Sequence, residues 1–106
     1  MLNPDLYLRQ LSWSDAQRFA QSRVTFFVGD TEAAAMPLDV IAVAERPPMA
    51  GGHQFTITFQ GARSPVLPQQ TYQVRHPELG DFAIFVTAIG QSAEATQYEA
   101  CFSHVA

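Results

Sequence analysis

The chain has 106 residues, 47% of them hydrophobic and 11% aromatic, with a formal charge of −4 and a pI near 5.1. This describes a single globular domain over residues 1–106 and argues against disorder. An acidic chain repels phosphate backbones. Its basic residues, all arginine (Arg9, Arg18, Arg23, Arg46, Arg63, Arg75), are scattered without forming a patch, so nucleic acid is not an expected partner.

Leu6, Leu8 and Leu11 form an apolar N-terminal set that is compatible with either an extended or a helical segment. In "LSWSDAQRFAQSR", Ser12 with Asp15 makes a short capping box, with Ser14 as the alternative cap. Trp13, Ala16, Phe19 and Ala20 then recur at helical spacing, which predicts an amphipathic helix over about 13–21. After it the period changes to two. "VTFFVGD" (24–30) places Val24, Phe26 and Val28 on one face. "PLDVIAVAER" (37–46) is apolar almost throughout its middle, which predicts a strand buried on both faces. "QFTITFQ" (54–60) turns Phe55, Ile57 and Phe59 inward and Thr56 and Thr58 outward. "TYQVRH" (71–76) aligns Tyr72, Val74 and His76, "FAIFVTAI" (82–89) is apolar on both faces, and "QYEACFSHV" (97–105) aligns Tyr98, Ala100 and Phe102.

Turn clusters separate these runs, and all seven prolines fall outside the predicted strand interiors. In "RHPELGDF", Pro77 suits the second position of a β-turn beginning at His76, and Gly80 supplies a positive φ, which predicts a five-residue loop over 77–81. About six short strands with no room for crossover helices require mainly antiparallel pairing. The expected fold is therefore mainly β: one small antiparallel barrel or two-layer sandwich with one short N-terminal helix.

"FTITFQG", "QQTYQVRHPELGDFAIFVTAI" and "QYEACFSHV" together resemble a bacterial family of uncharacterised small β-domains, the DUF6916 type. Its members read as an "F-x-L-x-F-x-G" strand, a "G-x-Y-x-x-x-H-P-x-L-G" segment, an "F-x-L-F-x-x-P" strand and a closing "Y-E-A-V-F-N". With "LSWSDAQRFAQSRVTF", the likeness covers roughly residues 11–104. Gln70 stands where a glycine is usual and Ala88 where a proline is usual, while Cys101 and Ser103 replace Val and Asn. The resemblance implies no activity. Its association with phage-tail-like proteins implies a structural or assembly role.

His53, His76 and His104 lack metal-site spacing, so no metal or other cofactor is expected. Cys101 is the lone cysteine and excludes an internal disulfide. It is read as a half-buried structural residue whose neighbour Glu99 raises its pKa. There is no G-x-S-x-G elbow, and Gly51-Gly52 opens no helix and so reads as a loop. Glu78 and Asp81 read as solvated turn acids, not a hydrolytic pair. Phe55, Phe59, Phe82, Phe85 and Phe102 are read either as barrel filling or as the lining of a ligand pocket.

No catalytic, cofactor or metal residue is assigned. The expectation is a non-catalytic structural or protein-interaction module, accessory to a phage-tail-like assembly, with a protein partner or a homo-oligomer. "EAAAMP" (32–37) and "PPMAGG" (47–52) are its candidate surfaces. The alternative is a small-molecule-binding barrel. The N-terminus lacks a leader pattern, and the longest apolar runs, 40–44 and 82–86, are too short to span a bilayer, so a cytoplasmic protein without membrane association is expected.

Overall fold

The computed structural model describes residues 9–28, 35–46, 52–64 and 66–105. Helix α1 (Trp13–Phe19) begins at the predicted cap: Ser12 Oγ accepts from the Asp15 N–H at 3.1 Å, and the Asp15 carboxylate accepts from the Ser12 N–H at 3.3 Å. The helix stops two residues short of the predicted end at 21 because the chain turns sharply. Ala20 (φ −54°, ψ 130°) and Gln21 (φ 61°) are the central residues of a turn closed by the Ser22 N–H donating to the Phe19 carbonyl at 3.0 Å. These angles are those of a type II turn.

Six strands follow: β1 (Arg23–Phe27), β2 (Ala35–Arg46), β3 (Gly52–Ala62), β4 (Gln70–His76), β5 (Gly80–Gln91) and β6 (Ala95–Val105). All neighbours are antiparallel, in the order β1-β2-β3-β6-β5-β4. Pairing of β1 with β4 (Thr25 with Arg75, Phe26 with Val74, Phe27 with Gln73) closes the sheet into a barrel, which settles barrel against sandwich. Alternation fills its interior with Val24, Phe26, Phe55, Ile57, Phe59, Tyr72, Val74, Phe82, Ile84, Val86, Tyr98 and Ala100, all buried. Phe26 packs edge-on to Phe59 at 5.1 Å, and Phe19 of α1 packs against Phe82 at 5.8 Å, so the helix completes the core at one end of the barrel.

Four expectations need correction. β2 is not buried on both faces: Leu38 and Val40 are buried, but a register shift between Val40 and Ala42 leaves Ile41 on the outside, and the strand then runs on beyond its pairing with β1. Pro37 lies inside β2, opposite Thr25. It is tolerated because β3 registers with β2 only from Asp39 onward, so only β1 flanks the proline in register. β5 is one-sided along its first half, with Phe82, Ile84 and Val86 buried and Phe85 exposed. The β4–β5 loop has three residues, not five, because His76 pairs directly with Gly80 at φ 86°. Gly80, the first residue of β5, takes the left-handed conformation on the way out of the turn.

Candidate functional site

"RHPELGDF" forms the β4–β5 hairpin, and its histidine is the hub. His76 alternates inward with Tyr72 and Val74 and is 2% exposed. The backbone N–H groups of Glu78 and Leu79 donate to its Nδ1 at 3.0 and 3.1 Å. Two donors meeting at Nδ1 leave that nitrogen unprotonated, so the ring hydrogen sits on Nε2. Nε2 faces the Arg18 carbonyl at 3.2 Å and Ser22 Oγ at 3.3 Å, and the ring lies 4.8 Å from that of Phe19. One side chain thus holds its own turn closed and fastens the C-terminal end of α1.

Arginines from the N-terminal arm complete the clasp. Arg9 donates to the Leu79 carbonyl at 2.6 Å and the Asp81 carbonyl at 3.0 Å, with its guanidinium 3.9 Å above the Phe82 ring. Arg18 pairs with Glu78 at 2.7 Å in an exposed setting. Trp13 lies 5.4 Å from Phe55, which in turn stacks on Phe102 at 5.0 Å.

The two turn acids do not act on one point. Glu78 is bound to Arg18, whereas Asp81 accepts from Arg75 at 2.7 and 3.0 Å and from Gln73 at 2.7 Å. The Arg75 hydrogen bond is the main reason the Asp81 carboxyl lies below the ordinary carboxylate range. Both carboxylates were legible in the sequence, but their partners were not.

His53 and His104 are register partners in β3 and β6, while both ring nitrogens of His76 are engaged at its hairpin. Among the described residues there is no group of three or more His, Cys, Asp or Glu placed to hold a metal ion. Cys101 is exposed on the outer wall, which corrects the half-buried reading. Its thiol is pushed up by partial burial and by Glu99, to whose carboxylate it donates at 3.5 Å. It lines an open cleft of about 330 Å³ with Arg46, Gln54, Phe55, Phe102 and Ser103. Of the candidate pocket aromatics, Phe55, Phe59 and Phe82 are core residues and Phe85 faces outward.

At the other end, the loop after β3 is latched from within the barrel. Tyr98 Oη accepts from the buried Leu67 N–H at 2.9 Å, and the Tyr72 hydroxyl donates to the Pro68 carbonyl. Thr96 Oγ1 and the Gln91 side chain both donate to the Arg63 carbonyl. Burial, then Tyr98 beside it, raises the Tyr72 hydroxyl above its ordinary range. Of the two candidate surface segments, 32–34 and 47–51 lie outside the described residues, and Ala35–Pro37 open β2. No helix among the described residues is long and apolar enough to cross a membrane.

A six-stranded antiparallel barrel clasped by one short helix is the class these features define. The family model "Domain of unknown function (DUF6916)" matches residues 11–102, and the chain belongs to that family. No curated protein and no solved structure matches it.

Proposed function

We propose that this chain is a non-catalytic structural or protein-interaction module of the bacterial cytoplasm, accessory to a phage-tail-like assembly. The carrying observation is the outer face of β5, where Phe85 and Ile89 are 51% and 50% exposed on a strand whose inner face is core. Exposed aromatic side chains such as Phe85 are among the groups enriched at protein interfaces. Affinity purification from the native host is expected to recover components of such an assembly, and Phe85→Ser with Ile89→Ser to lose them while the barrel stays folded. Recovery of the chain alone, or equal recovery by the variant, overturns the reading.

A second reading, a small-molecule binder, is favoured by the cleft beside Phe102 and Cys101, whose volume of about 330 Å³ lies in the range of ligand sites. It expects at least one small aromatic or anionic compound in a screen to raise the melting temperature, and Phe102→Ala to abolish that shift.

A further inference from the structure

Gln21 is, among the described residues, the one non-glycine residue at positive φ (61°). It occupies the position of a type II turn that ordinarily takes glycine or asparagine, so the turn joining α1 to β1 is strained. The strain sits between two well-anchored bodies. On the barrel side, the Ser22 carbonyl accepts from the Val40 N–H at 2.8 Å. On the arm side, Arg9, Trp13, Arg18 and Phe19 grip the hairpin and the mouth of the barrel. That grip does not depend on the turn, so an identical arm from another molecule would make the same contacts. Straightening the turn gives up few bonds, chiefly Ser22 N–H to the Phe19 carbonyl and Ser22 Oγ–H to the Arg18 carbonyl.

We propose that the arm exchanges between two copies of this chain, pivoting at Gln21, so that each copy's helix seats on the other's hairpin. Short hinges under strain favour such exchange, and a symmetric swap relieves both hinges at once. The opposing cost is the lost freedom of association, so the dimer grows with protein concentration. This inference is independent of the outer face of β5.

Native mass spectrometry and light scattering, from micromolar to millimolar protein, provide the test. A slowly exchanging dimer is expected for the unmodified chain. Gln21→Pro, whose φ near −65° is incompatible with the turn, is expected to lower the dimer dissociation constant about tenfold, and Gln21→Gly to raise it about tenfold. Arg18→Glu and Glu78→Arg chains, refolded together, are expected to form mainly the mixed dimer, since only there does every arm meet a hairpin of opposite charge. A monomer at all concentrations for both the unmodified chain and Gln21→Pro overturns the proposal. So does a dimer that ignores Gln21→Gly and mixes statistically. Should Gln21→Pro fail to fold, Gln21→Gly and the mixing experiment still decide.

Discussion

The two ends of the barrel are covered by opposite means. At the hairpin end a separate helix is held by side chains reaching across: His76 to the Arg18 carbonyl, Arg9 to the Leu79 and Asp81 carbonyls, and Arg18 to Glu78. At the far end the loop after β3 is held by hydroxyls rising from the core, Tyr98 to the Leu67 N–H and Tyr72 to the Pro68 carbonyl. The first closure uses partly exposed charge around one buried ring, whereas Leu67 and Tyr98 of the second are both buried. Surface ion pairs contribute little, so the strength of the hairpin end lies in His76 and Phe19 and not in its arginines.

Substitutions separate the two closures. Phe19→Ala, at a fully buried ring between His76 and Phe82, is expected to cost about 3–5 kcal/mol in urea unfolding, the largest effect at the hairpin end. His76→Leu strands the Glu78 and Leu79 N–H groups and leaves the Arg18 carbonyl only its bond from Ser22 Oγ, for a loss of about 2–4 kcal/mol. Hydrogen exchange should then accelerate at residues 78 and 79 and stay slow at Leu67. Tyr98→Phe should do the reverse, costing about 1–2 kcal/mol and exposing the Leu67 amide alone. Equal acceleration at both ends in either variant would show that the closures are not separate.

Smaller effects follow from charge. Folding holds the Asp81 carboxyl below its ordinary range, so its contribution is present above pH of about 4 and is lost as pH falls through the folded-state value. Asp81→Asn is expected to cost under about 1 kcal/mol at neutral pH and to flatten the acid side of the stability profile. An unchanged acid limb would place the acid sensitivity elsewhere. Arg18→Ala, which removes an exposed pair, is expected to cost only about 0.5 kcal/mol.

Local features were legible in the sequence because local chemistry decides them. The Ser12–Asp15 capping box, the alternation of β3 and β4, and the positive φ of Gly80 all stand where spacing puts them. What escaped depends on distant partners. Barrel closure rests on Phe26 meeting Val74, which no local period encodes. The apolar run of β2 reads as doubly buried, yet β1 ends and the chain bulges after Val40, so Ile41 faces outward. The core face of His76 was readable from alternation, but its bond to Arg18, 58 positions away, was not. The same holds for Tyr98 and Leu67, and for Gln21, whose side-chain chemistry gives no sign of a positive φ.

The central claim is that "HPELG" is the receptor for the helix and that His76 joins them through one fixed tautomer. A long-range ¹H–¹⁵N spectrum of the His76 ring tests it directly. Nδ1 is expected at an unprotonated, hydrogen-bonded shift and Nε2 at a protonated one, with no averaging between them. A ring protonated on Nδ1, or one averaging between tautomers as in a solvated histidine, would contradict the account.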